Sequence, residues 1–166
     1  MPADTDAAKP RILLVDDEVQ ITTALSRELR GQPFDVRAVN DAQSLMQEAS
    51  QGECDLVISD NNMPGMTGLE FFSSLKALHP NTRRVLLTGH TDMERAVQAF
   101  NDGDIHRFVN KPWNKDELLG IIEQELKNLR NQREIERSRT ELESESKERS
   151  TQLSQVFSEL KQAKTQ

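Results

Sequence analysis

Leu56-Val57-Ile58-Ser59-Asp60, followed at once by Asn61-Asn62-Met63-Pro64-Gly65, is the stretch on which the fold of this chain turns. An apolar and small run that halts at a carboxylate and then breaks into Pro and Gly reads as a buried parallel strand delivering Asp60 to its C-terminal end. In open α/β sheets, ligands gather outside that edge. Three other strand-like runs also lead to a polar residue suited to a phosphoryl group: Arg11 to Val15 into Asp16-Asp17, Arg84 to Leu87 into Thr88, and His106 to Val109 toward Lys111.

Between these runs the apolar spacing turns helical. Val19, Ile21, Leu25 and Leu29 recur at helical intervals up to Gly31, and Leu69, Phe72, Leu75 and Leu78 do so up to His79-Pro80. Asn40 with Gln43, Thr67 with Glu70, Thr91 with Glu94 and Asn114 with Glu117 each have the spacing of a capping box that opens a helix. Phe34 to Val39 alternates as a half-exposed edge strand would. Five βα units predict an α/β fold, a doubly wound five-stranded parallel sheet with helices on both faces. The most apolar runs belong inside and the strands carrying Arg37 and Arg107 at the edges, so the expected order is the flavodoxin-like 2-1-3-4-5.

Composition agrees with one aliphatic core and an appendage. The chain has 166 residues, 35% hydrophobic and 30% charged, with six Phe, one Trp and no Tyr. A single cysteine, Cys54, leaves no internal disulfide and no zinc-ligand spacing, which points to a reducing compartment and hence the cytoplasm. No apolar run reaches the ~20 residues that span a bilayer, and Met1 to Lys9 reads as a disordered leader. The net charge of −7 lies in the first 122 residues, because Glu123 to Gln166 holds nine acidic and nine basic residues. An acidic globular part argues against a nucleic-acid surface, which would want clustered Lys and Arg, and suits a site that holds a cation.

From Ile121 to Gln166 there is neither Gly nor Pro, so a helix should run from the end of the domain through the tail. The expected division is a leader over 1–9, a domain over 10–125 and a helical coiled-coil extension over 126–166. Leu142, Arg149 and Val156 alternate with Ser146, Leu153 and Leu160 at heptad spacing, and Ile135 extends the first series backwards. Ile122, Leu126 and Leu129 form a seam out of step with it, which predicts an interruption near Arg130 to Glu134. A helix this polar calls for a partner, and a homodimer through it is the expectation.

At the carboxyl edge, neighbouring strands ~4.8 Å apart would crowd Asp16, Asp17 and Asp60 into one pocket, faced by Thr88 and Lys111. Three carboxylates that close repel unless a cation neutralises them, and an all-oxygen set with room for water or phosphate suits Mg²⁺. A carboxylate so placed can attack phosphorus and form an acyl phosphate, and Asp60 is the central one.

These residues resemble a known family. Val15-Asp16-Asp17-Glu18, Ser59-Asp60 with Met63-Pro64-Gly65-Met66 and Gly68, Leu87-Thr88-Gly89 and Val109-Asn110-Lys111-Pro112 are similar to the motifs of the receiver domain of two-component response regulators, over about residues 10 to 125. The resemblance implies that Asp60 accepts a phosphoryl group from a sensor histidine kinase. It further implies that Asp17, Asp60 and the backbone carbonyl of Asn62 bind Mg²⁺ directly, with Asp16 through water. Thr88 and Lys111 would contact phosphoryl oxygens, and Phe108 matches an aromatic switch position. Asn62 and His90 stand where the family tunes the lifetime of the phosphoryl group. Asp104 after Gly103, where the family commonly has Ala, and Trp113 after Lys-Pro resemble a subgroup whose receivers precede signalling enzymes. An output domain beyond Gln166 is therefore expected.

Two other classes compete. An Mg²⁺-dependent phosphatase with an aspartyl-phosphate intermediate would want a second acid two residues after the nucleophile, where this chain has Asn62. A coiled-coil adaptor that no longer signals would not need the complete acceptor set. His79, beside Pro80, and His106, at the start of a strand, share no motif with a Ser or Cys nucleophile.

Overall fold

The computed structural model describes residues 8–164; the expected leader falls largely outside them. Five parallel strands form one sheet in the order β2-β1-β3-β4-β5: β1 (Arg11–Val15), β2 (Asp35–Val39), β3 (Leu56–Asp60), β4 (Arg83–Thr88) and β5 (Arg107–Asn110). Ile12 pairs with both Val36 and Leu56, and Asp60 pairs with Leu87, so the three inner strands end nearly level. This is the expected doubly wound order. The strands that carry Arg37 and Arg107, β2 and β5, are its edges, and β1, β3 and β4 between them bury both faces.

The helices are α1 (Val19–Leu29), α2 (Ala42–Ser50), α3 (Gly68–Leu78), α4 (Met93–Asn101) and α5 (Lys115–Ala163). Alternation along each strand splits the core into two layers. Ile12, Leu14, Leu56, Ile58, Val85 and Leu87 face α1 and α5, where they meet Leu25, Leu29, Leu118, Ile122 and Leu126. Leu13, Val15, Val57 and Leu86 face α2, α3 and α4, where they meet Leu45, Phe71, Phe72, Leu75 and Ala96. Each fully buried aliphatic side chain contributes roughly 1.5–3 kcal/mol of transfer free energy.

Several local expectations change. Helix α2 is capped by Asp41, whose side chain accepts from the Ser44 amide at 2.7 Å, and not by Asn40. Helix α4 has no side-chain cap; Thr91 lies inside a 3-10 turn, His90–Asp92, that leads into it. Thr67 and Asn114 do cap as expected, accepting from Glu70 N at 3.1 Å and from Asp116 N at 2.9 Å. In α3 the buried face is Phe71, Phe72 and Leu75, while Leu78 is exposed, because the sheet meets a stripe rotated from the one the spacing suggested.

Residues through Leu129 form one compact unit and those from Arg130 a second. In the first, Ile122, Leu126 and Leu129 are buried. The side chains read as an out-of-step coil seam are thus the domain-facing stripe of α5. Glu125, also buried, lies 3.2 Å from Arg107 and 3.8 Å from Arg83, tying α5 to the starts of β4 and β5. The second unit is helix as far as Ala163, with Ile135, Leu142, Leu153, Val156, Phe157 and Leu160 exposed.

Candidate functional site

Asp60 is the last residue of β3 and Thr88 the last of β4, while Asp16 and Asp17 follow β1 and Lys111 follows β5. Parallel pairing with level strand ends therefore brings four loops to one edge. Asp16, Asp17 and Asp60 each present an oxygen within 4.8 Å of the others. Asp16 and Asp60 are buried and Asp17 is exposed, so the cluster has two shielded carboxylates and one open to water.

Lys111 Nζ lies 3.1 Å from Asp60 Oδ1 and 3.3 Å from Asp16 Oδ2. Burial raises the pKa of Asp16, helped by the Asp60 charge, against the opposing pull of the Glu18 amide and Lys111. For Lys111 burial acts downward, but the hydrogen bond and charge of Asp60, with those of Asp16, leave it raised. The ammonium is the positive charge that this arrangement supplies to its own carboxylates.

The site is braced from several sides. Asp16 Oδ1 accepts from the Glu18 amide at 2.9 Å, which fixes the turn after β1. Asn40 Nδ2 donates to the Asp16 carbonyl and to Thr22 Oγ1, each at 2.9 Å, and so ties the end of β2 to that turn. Asn61, buried behind Asp60, accepts from the Leu69 amide through Oδ1 at 3.2 Å and from the Gly68 amide through its carbonyl at 3.0 Å. Gly68 is required by contact: a Cβ there would overlap the carbonyl oxygen of Asp60. Thr88, buried, donates its hydroxyl to the Gly89 carbonyl at 3.1 Å, and its own carbonyl receives the Lys111 amide at 2.9 Å.

Asn62 is exposed at the mouth and donates from Nδ2 to Asp92 Oδ2 at 2.9 Å, bridging the loops after β3 and β4. Phe108, on β5, is partly buried against the α2–α3–α4 layer, with its ring edge-on to Phe100 at 6.2 Å between centroids. His90 is exposed in the 3-10 turn. Trp113 hydrogen-bonds through Nε1 to Glu28, linking the loop after β5 to α1. Sequence reasoning missed Asn40, Asn61 and Asp92 as supports. Asn and Asp beside helix starts look like caps, and only the folded loops show which of them turn inward.

An all-oxygen set with buried and solvent-facing carboxylates suits a small hard cation that retains water, so the residues fit Mg²⁺. The same set offers a nucleophilic carboxylate beside an ammonium and a hydroxyl. That combination can accept and stabilise a phosphoryl group.

Known proteins resemble this chain in sequence and fold. The family profile described as the response regulator receiver domain matches residues 12–123. The C4-dicarboxylate transport transcriptional regulatory protein DctD of Rhizobium meliloti is 36% identical over 113 residues, 68% of this chain and 24% of that protein. The nitrogen assimilation regulatory protein NtrX of Azorhizobium caulinodans is 33% identical over 126 residues, 75% of this chain and 28% of its own length. This chain thus spans about a quarter of the length of these relatives. Among solved structures, the signal receiver domain of an HD domain-containing protein from Pseudomonas fluorescens Pf-5 superposes with a TM-score of 0.73 at 34% identity, covering 81% of this chain and 98% of that one. FixJ from B. japonicum gives 0.67 at 30% identity, covering 74% and 60%. With its profile match, its sheet order and the acidic edge in register, this chain belongs to the response regulator receiver domain family.

Proposed function

We propose that Asp60 is the phosphoacceptor of a two-component phosphorelay and that a sensor histidine kinase is its donor. The observation that carries this reading is the contact of Lys111 with Asp60 inside a cluster of three carboxylates. An Asp60 carboxylate oxygen attacks phosphorus as the phosphorus–nitrogen bond of the donor phosphohistidine breaks. The nitrogen keeps the electron pair and the acyl phosphate forms. Lys111 then exchanges its carboxylate contacts for a phosphoryl oxygen, and the Thr88 hydroxyl leaves the Gly89 carbonyl to donate to another.

Asp17 and Asp60, with the Asn62 carbonyl, would hold Mg²⁺ directly and Asp16 would do so through water. The ion, when bound, supplies positive charge to the phosphoryl oxygens as they crowd the carboxylates. The protein acts as a signalling domain whose own chemistry is limited to gaining and losing this group, and its single buried cysteine suits the cytoplasm.

The signal leaves through packing. Drawing Thr88 toward the site opens space beside β4, and Phe108, adjacent to Leu86 in the register of β4 and β5, moves toward it. The surface made by α4, β5 and α5 changes with it, so α5 relays the change at Leu118, Leu119 and Ile122 to a self-associating tail and to an output domain or partner.

Incubation with a small acyl-phosphate donor and Mg²⁺ tests the acceptor. One phosphate should be added, and Asp60→Asn should abolish labelling. Equal labelling of that variant would overturn the assignment.

A further inference from the structure

The second unit of the chain carries six large apolar side chains in the open, from Val156 at 52% exposed to Ile135 and Phe157 at 68%. Their heptad places Arg139, Ser146, Leu153 and Leu160 at the a positions and Ile135, Leu142, Arg149 and Val156 at the d positions. Ile135, Ser138, Arg139 and Leu142 line a shallow furrow along this stripe. Two arginines therefore stand on a seam that any coiled-coil partner must cover. Their charge decides what that partner is and which way it runs.

We propose that this stripe pairs with the same stripe of a second copy of the chain in antiparallel orientation, centred between Lys147 and Glu148. The proposal rests on the reading that the tail self-associates, and it adds the direction.

In a parallel pair each a and d residue meets its own copy. Arg139 would then face Arg139 of the other chain with Ser138 at its flank, and Arg149 would face Arg149 with Ser150 at its flank. Two like-charge layers would sit in the seam, and the second copy would bring only a serine to the flank of each. Like charges brought together at reduced dielectric repel, so this register is selected against.

The antiparallel pair reverses each of these contacts. Layers join a to d, giving Ile135 with Leu160, Arg139 with Val156, Leu142 with Leu153 and Ser146 with Arg149, each occurring twice by symmetry. In this orientation a d residue is flanked by the g residue of the facing layer, and an a residue by the facing e residue. Arg149 thereby meets Glu145 of the second copy. Arg139 lays its stem in a hole made by Leu153, Val156, Phe157 and Leu160 of the second copy, with its guanidinium at the Phe157 ring. Within its own chain Arg139 keeps Glu143, at 3.6 Å. Phe157, which a parallel seam leaves at the rim, is covered. The facing e and g pairs, Glu143 with Ser150 and Glu145 with Gln152, set no acid against an acid.

The test uses the full chain with Cys54→Ser, which removes its one thiol. Leu142→Cys and Leu153→Cys chains are prepared separately, mixed, and oxidised under mild conditions. In the antiparallel layer these two positions face each other within disulfide reach, whereas position 142 lies ~16 Å along the axis from its own copy. The mixture should cross-link at least ~10-fold more than Leu142→Cys alone. Efficient cross-linking of Leu142→Cys with itself would overturn the antiparallel direction while leaving self-association intact. Sedimentation of the uncross-linked full chain separates the two readings further. A dimer with the mixed cross-link supports the proposal, and a monomer, or a tail taken up only by a different protein, overturns it together with self-association. Neither result touches phosphorylation of Asp60, which the labelling assay reads independently.

Discussion

The ammonium of Lys111 lies 3.1 Å from Oδ1 of Asp60, although Asp60 ends β3 and Lys111 follows β5, strands that are not neighbours in the sheet. Only the level ends of β3, β4 and β5 bring them together. Lys111→Ala would leave Asp16 and Asp60 buried without their compensating charge. Allowing for the partial exposure of the lysine, the metal-free protein should lose about 2 kcal/mol. Added Mg²⁺ should recover more stability in the variant than in the wild type, because the ion then answers the same unmet charge. Burial acts to lower the Lys111 pKa, but Asp60 and Asp16 more than offset it and the net shift is upward. A raised base contributes fully below the ordinary lysine range and loses its contribution as pH climbs through the raised value, so the effect is complete at pH 7. Chemical denaturation with and without Mg²⁺ measures both; equal stability of the two metal-free proteins would show that the ion pair contributes nothing.

Asp17 and Asp16 should differ in how much they matter for Mg²⁺. With the proposed ligand set, Asp17→Ala would remove a direct ligand and should weaken binding by more than ~100-fold, whereas Asp16→Ala would remove an outer contact and should cost about 10-fold. Calorimetric titration with Mg²⁺ checks the pair, and equal losses would contradict the direct and water-mediated roles.

Gly68→Ala should be destabilising without touching any charged group. The added methyl overlaps the Asp60 carbonyl oxygen and crowds Ser59 Oγ, so the start of α3 or the end of β3 must shift. Overpacking of this kind costs roughly 1–3 kcal/mol, and the shift should also slow acyl-phosphate labelling of Asp60. A Gly68→Ala protein with wild-type melting and labelling would show that the loop absorbs the methyl.

His106 makes the fold acid-sensitive. Its Nδ1 accepts the Arg84 amide at 3.0 Å, which requires the neutral ring. Burial first, then the charges of Arg84, Arg83 and Lys76, lower its pKa to about 4. The unfolded chain therefore binds the proton first as pH falls, so stability drops between about 6.5 and 4 and levels off below. His106→Asn, which keeps an acceptor without the charge, should flatten that part of a denaturation-against-pH curve. An unchanged slope in the variant would assign the loss to other groups.

Ending the chain after Leu129 should leave the receiver folded and able to accept phosphate while weakening self-association. Ending it after Gln124 should not, because Glu125, Leu126 and Leu129 are buried. Losing the two leucines alone costs on the order of 3–6 kcal/mol. Circular dichroism melts of the two truncations separate these outcomes, and dimerisation of the longer one with full-chain affinity would locate the contact on the domain.

The sequence by itself determined the five βα units, their order in the sheet and the residues at the carboxyl edge. Each of those rests on short-range signals: strand-like segments four to six residues long, breakers such as Pro64-Gly65, and polar residues where the segments stop. Alternation along a strand commits each side chain to one face, so Leu13 and Leu14 could be sorted to opposite layers before any fold was known. What the tertiary structure alone decided were choices between neighbours with the same local chemistry. Asp41 caps α2 and Asn40 turns to the Asp16 carbonyl, though the order of the two residues allows either. Ile122, Leu126 and Leu129 have the spacing of a coil seam and of a core-facing stripe alike. The sheet settles the matter by offering Leu14, Ile58 and Leu87 as an apolar surface for α5. Periodicity records that a helix has an apolar side, and only the packed neighbour determines what that side meets.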